Sequence, residues 1–261
     1  MKRVIIAALY FLVSLTAVSC SKMDDLFGNG EPVSEVRQPD GPFCIICMYD
    51  NVNVNLKHSS RPRFELTCPK NLIDNIVTEV RNDSLIIRND NNFNWLRSYD
   101  YTINMDLYFD SLCEINYAST ARLTTQDTLR GCFVSDTAEG KLCRSFMLRT
   151  KEGCGDIDLV FNCDVLRDRF FNGTSHITLR GIAGYTEHIV RSYGTVHAEG
   201  LNSNIVSVMH ESTNDLYLWV RNGGTLQVYL NSIGNLYYKG HPDPTRTHIR
   251  YNSTGKAYPL E

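Results

Sequence analysis

Cysteines, histidines and paired carboxylates are the residues of this 261-residue chain best equipped for chemistry. Nine cysteines and seven histidines are present. Cys44 and Cys47, in "FCIICM", form a CxxC, a spacing used for metal binding and thiol redox work. In an extended strand, however, residues three apart point to opposite faces, and no second CxxC accompanies this one. Cys113 and Cys132 are 19 residues apart, and Cys143 and Cys163 are 20 apart. Those spacings suit disulfides or buried thiols in neighbouring layers of a repeating fold. No HExxH occurs, and no histidine pair has helical spacing. Asp156 and Asp158 are the best carboxylate pair for cleaving a glycosidic bond. No GxSxG, Walker loop or dinucleotide fingerprint is present. We therefore expect no catalytic residues, no metal site and no cofactor, and a protein that is not an enzyme.

The N-terminus supplies one further reactive residue. Lys2 and Arg3 precede the apolar run Val4 to Val13, and small residues lead to a cysteine in "LTAVSC". The run is too short for a comfortable membrane span and reads as a secretion signal. Ala17-Val18-Ser19-Cys20 resembles a lipobox, so residues 1–19 are expected to be a lipoprotein signal peptide, with Cys20 acylated and inserted in the lipid bilayer. Residues 20–42 are rich in Gly, Pro and acids and read as a flexible tether. Asp24 and Asp25 resemble an export signal toward the outer face of the outer membrane. Loss of Lys2 and Arg3 with the signal would take the formal net charge from −3 to −5. That balance, with no basic stripe in view, argues against nucleic-acid binding.

The elements that must position any site are strands. "VNVNLKH", "RFELTC", "IVTEVRNDSLIIRND" and "YTINMDLYF" alternate apolar and polar residues, and Arg81 to Ser84 reads as a hairpin turn. Helical character is confined to about one turn at Asn71 to Asn75. Further on, "GDIDL", "SHITL", "GTVHA", "NDLYL" and "GNLYY" align, with their third positions at Ile157, Ile177, Val196, Leu216 and Leu236. Their steps are 20, 19, 20 and 20 residues. A constant period means layers that cannot bury their apolar faces alone and must stack. The spacing predicts an all-β fold: a right-handed parallel β-helix-like solenoid of about 20 residues per coil, after a less regular region of strands and hairpins. Those five residues and the positions two further on would face inward. Tyr217, Trp219, Tyr237, Lys239 and His197 would face out, as an aromatic patch that stacks on sugars or anchors a protein partner. The tail, residues 243–261, would cover the end of the stack.

The unit "NLIDNIVTEVRNDSLIIRND", the following "NWLRSYDYTINMDLYF", the 20-residue coils and the closing "GNLYYKGHP" together resemble the "putative auto-transporter adhesin, head GIN domain" family over residues 43–242. The resemblance implies a secreted or lipid-anchored bacterial β-solenoid, and by its name an adhesive role. Where family members often have serine-glycine-rich turns, this chain has "HESTND" and "RSYGT". The expected protein is a non-catalytic outer-membrane lipoprotein of the cell envelope that meets an envelope or host protein or a glycan. The alternatives are a glycan-binding module using the aromatic face, and a polysaccharide lyase or hydrolase.

Overall fold

A computed structural model describes residues 29–92, 101–135 and 142–260. The expected signal peptide, acylated Cys20, Asp24, Asp25 and the tether as far as residue 28 lie outside the described residues. The protein is all-β. In chain order the first part contains β1 (Pro32–Arg37), β2 (Ile45–Asp50), β3 (Val52–His58), β4 (Arg63–Pro69), the one-turn helix α1 (Lys70–Ile73), β5 (Ile76–Arg81), β6 (Ser84–Asn89), β7 (Ile103–Phe109), β8 (Glu114–Ser119), β9 (Leu123–Thr125) and β10 (Cys132–Ser135). The second contains β11 (Leu142–Lys151), β12 (Ile157–Phe171), β13 (Ile177–Arg191), β14 (Val196–His210), β15 (Leu216–Leu230), β16 (Leu236–Lys239), β17 (Thr247–Tyr251) and β18 (Ala257–Pro259). All of these strands join one continuous hydrogen-bonded sheet.

In the second part Ile157, Ile177, Val196, Leu216 and Leu236 stand side by side in successive parallel strands, each at most 1% exposed. Each of β12 to β15 is a single long strand rather than two short ones. In β12 the buried residues are Ile157, Leu159, Phe161 and Cys163, then Leu166, Asp168 and Phe170. Side chains alternate along a strand, so a shift from odd to even buried positions requires a corner between Cys163 and Leu166. Both arms face the same continuous core. The sheet therefore curls around its own apolar interior.

Stacking brings backbones together at the turns, and glycine is required there. A Cβ on Gly194 would sit 1.9 Å from the Ser175 carbonyl oxygen, and one on Gly234 would sit 2.2 Å from that of Asn214. The turns are also tied by side chains. Asp215 accepts a hydrogen bond from the Asn235 backbone N–H at 2.8 Å, and Asn235 accepts one from Lys256 at 3.0 Å.

The first part, expected to be a less regular region of strands and hairpins, holds the β5–β6 hairpin and the antiparallel pairs β1–β4 and β4–β7. Its strands extend the same inward row: Leu66, Met105, Val54 and Leu123 lead in register to Ile157. A second row runs through Leu85, Ile46, Ile115 and Leu148 to Asp168. Their order in space differs from their order in the chain, since β3 lies between β7 and β9, and β2 lies between β6 and β8. The β5–β6 hairpin turns at Asn82 and Asp83, whose φ angles of 49° and 61° suit their short polar side chains.

Part of the segment expected to be a flexible tether, residues 20–42, is a strand. Pro32–Arg37 forms β1, antiparallel to β4. Otherwise β4 would present an unpaired edge, and Arg37 holds β1 in place by donating to the carbonyls of Ile73, at 2.8 Å, and Ile76.

Candidate functional site

Rings at register positions of neighbouring parallel strands must meet, because those strands lie only about 4.8 Å apart. His197 pairs with Tyr217, Tyr217 with Tyr237, and Tyr237 with Tyr258. Their ring centroids are separated by 4.7, 5.1 and 5.4 Å, with interplanar angles of 5°, 13° and 26°. Nearly parallel rings this close cannot lie side by side in one plane, so they overlap face to face. The outward rings thus present a ladder of edges and hydroxyls, because each ring covers its neighbour. The ladder ends at His197, whose other neighbour is Thr178, and at the far side of Tyr258. Burial, then the charges of Asp215, Tyr237 and Glu199, raises the Tyr217 phenol above its ordinary range. Glu199 holds His197 through Nδ1 at 3.0 Å.

Trp219 and Lys239 pair with one another in the adjoining outward position. Trp219 also meets Asn202 across an irregularity in the β14–β15 register. All five residues expected to face out do so, half-buried or exposed. Tyr258 had no sequence signal of its own, since it lies in the tail outside the repeat. It joins the ladder because β18 pairs in parallel with β16.

The ladder continues a longer outward row. From Tyr258 the register runs back through Tyr237, Tyr217, His197, Thr178, Asp158, Thr124, Asn55 and Asp106 to Glu65. One end is aromatic and the other is built of amides and carboxylates. At the polar end a groove of about 320 Å³ is lined by Asn53, Asn55, Glu65, Asn104, Asp106 and Arg122. Asn55 donates to Asp106 at 2.8 Å, and Lys57 pairs with the other Asp106 oxygen at 2.9 Å. Burial raises the Asp106 carboxyl, but Lys57 and Asn55 outweigh it and leave the group below its usual range.

The carboxylates weighed for glycan cleavage are differently placed. Asp158 is held by the Arg180 guanidinium at 2.6 Å, and Asp156 is exposed two residues away. Among the cysteines, Cys113 and Cys132 are bonded, with Cα atoms 5.0 Å apart. Cys143 and Cys163 are free. The β11–β12 ladder begins only at Ser145 and Val165, two residues beyond these cysteines, and Cys143 pairs with Val134 of β10. Burial is the largest influence on Cys44 and Cys47 and pushes both thiols up, toward the protonated form. No group of three or more His, Cys, Asp or Glu among the described residues is placed to hold a metal ion.

The fold and this surface define an all-β protein that presents long in-register rows of side chains on a curled sheet. Residues 42–242 match the family model described as "Putative auto-transporter adhesin, head GIN domain", and the chain belongs to that family. No curated protein matches the chain in sequence. Among solved structures it is similar to a "putative adhesin" from Bacteroides fragilis NCTC 9343, at 15% identity and TM-score 0.71, covering 88% of this chain and 97% of that one. It is also similar to a "Putative lipid binding protein" from Parabacteroides distasonis ATCC 8503, at 14% identity and TM-score 0.61, covering 88% and 98%. A third likeness is a "putative adhesin" from Parabacteroides merdae ATCC 43184, at 14% identity and TM-score 0.56, covering 90% and 98%. At these identities the likeness is one of fold.

Proposed function

We propose that this protein is a non-catalytic interaction module of the bacterial cell envelope, held to the outer membrane by an acylated Cys20. In this reading the stacked strands are a right-handed parallel β-helix-like solenoid of about 20 residues per coil. Its working surface is the outward row from Glu65 to Tyr258, which meets an envelope or host partner. The row carries the reading because ten positions from separate strands are aligned on the solvent side. Such a row fits an extended partner better than a small substrate. The family name and the adhesin relatives support an address at the cell surface or envelope.

Glycan capture is the second reading, favoured by the polar groove at the far end of the row from the ladder. Its convergent amides and carboxylates suit a ligand rich in hydroxyls. Two measurements test these readings. Intact cells treated with added protease should lose the protein, and complete protection would rule out a direct adhesin role. A glycan array should yield a ligand whose binding is lost in Asn55→Ala and Asn104→Ala if the groove takes sugar. Trp219→Ala examines the aromatic end in the same way.

A further inference from the structure

The second arms of the long strands carry another outward row, on a different part of the sheet from the aromatic ladder. Arg149, Arg169, Ile189, Met209, Tyr229 and Arg250 follow one another in register across five strand pairs. Arg167 stands in the row on one side, and Arg191 in the row on the other. Nothing in the linear sequence shows a basic stripe, because these arginines come from strands separated by a turn each.

The acids on this face are Glu114, Glu187 and Glu211, and they lie lower than most of the arginines. Glu114, Glu187 and Glu211 side chains are 21%, 27% and 28% exposed, against 51%, 41% and 47% for their partners Arg149, Arg167 and Arg191. Arg169 is 23% exposed and shares Glu187 with Arg167. Arg250 lies over the Tyr229 ring at 5.3 Å and is exposed. Five arginines against three recessed glutamates make this face electropositive on a chain whose formal net charge is −3. Between the arginines runs a narrow apolar strip of Ile189, Met209 and Tyr229, of which Tyr229 is 38% exposed and the other two are half-buried.

We propose that this face binds a linear acidic polysaccharide lying along the stack, at right angles to the strands. Guanidinium groups match carboxylates in fork geometry, and they stand at both ends of the strip, at Arg169 and Arg250, and beside it at Arg191. Ile189, Met209 and Tyr229 then take the C–H faces of the sugar rings while the uronate carboxylates reach Arg149, Arg167, Arg191 and Arg250. A membrane surface fits less well, because apolar groups that enter a bilayer must protrude, and Ile189 and Met209 lie half-buried among charges.

The test is affinity electrophoresis of the full protein in gels containing polygalacturonate, with neutral dextran gels beside them and phosphatidylglycerol vesicles in a sedimentation assay. We expect retardation by polygalacturonate alone, weakening steeply as salt rises. Arg167→Gln with Arg191→Gln should weaken binding about tenfold or more. Glu187→Gln should strengthen it several-fold by releasing Arg167 and Arg169, a gain that misfolding would not produce. Arg61→Gln, exposed in the β3–β4 turn and outside both rows, should bind as the parent does. Absence of retardation by polygalacturonate, retardation indifferent to the arginine and Glu187 substitutions, or sedimentation with vesicles in place of polysaccharide binding would each overturn the proposal.

Discussion

In the second part of the molecule, residues paired across neighbouring strands from β11 onward are 17 to 21 apart in the chain, as at Asn202 with Trp219 and Leu236 with Ala257. In the first part they are 51 apart at Asn53 and Asn104, and 69 apart at Val54 and Leu123. Both parts nevertheless build the same two inward rows. The difference lies in connectivity: the β2–β3 segment is threaded between strands that come later in the chain, whereas β12 to β16 are laid down in order. Closing long loops costs more entropy than closing short ones. The first part accordingly contains the covalent cross-link and an added antiparallel edge, while the second rests on repeated local pairing.

The most severe test falls on the regular part. Asp168 and His188 interrupt an otherwise apolar inward row, facing each other at 2.7 Å with the carboxyl fully buried. Burial pushes the Asp168 carboxyl up, against the pull of His188. Asp168→Leu alone should cost about 3–5 kcal/mol, because it leaves a buried polar ring without its partner. Adding His188→Leu should recover most of that loss in chemical denaturation. A double variant as weak as the single one would mean that the pair does more than satisfy itself.

Next comes the cross-link. Replacing Cys113 and Cys132 with serine should cost about 3 kcal/mol, as expected for a closed loop of this length. Hydrogen exchange should place the loss in residues 29–135, and equal loss of protection in β13 to β15 would break the distinction between the two parts. A smaller cost is expected at the stacked turns. Gly194→Ala forces a methyl group against the Ser175 carbonyl and should lower stability by about 2–3 kcal/mol, measured by urea unfolding. Gly223→Ala has open space around its Cβ and meets only the penalty of its positive φ of 72°, about 1 kcal/mol.

The smallest effect is on pH. Burial pulls the His210 imidazole below its ordinary range. As pH falls below about 6.5, the unfolded chain takes up that proton before the folded one does, so stability drops on the acid side. His210→Phe should flatten the decline between pH 6.5 and pH 5 in thermal unfolding, and an unchanged slope would assign the decline to other groups.

Several of these features were open to reading in advance. The hairpin at Asn82 and Asp83 was legible because its signal is local, two residues able to hold positive φ between alternating runs. The inward ladder from Ile157 to Leu236 was legible because neighbours in space recur at a constant interval. Tyr258 and the β1 strand were hidden by falling outside any repeat, and the Cys143–Cys163 spacing left bond and free thiols open because pairing depends on where a ladder starts.

Alternation and a 20-residue interval, both properties of adjacent residues and regular steps, thus determined that the protein is all-β and which side chains of β12 to β16 face its core. Tertiary structure alone decided that β2 and β3 slip between later strands, that the tyrosine rings cover one another's faces, and that arginines from separate strands gather on one side. Those outcomes depend on which distant segments share a ladder and where each chain turns its corner. Both are settled by the packing of the whole core, and neither leaves a local mark in the sequence.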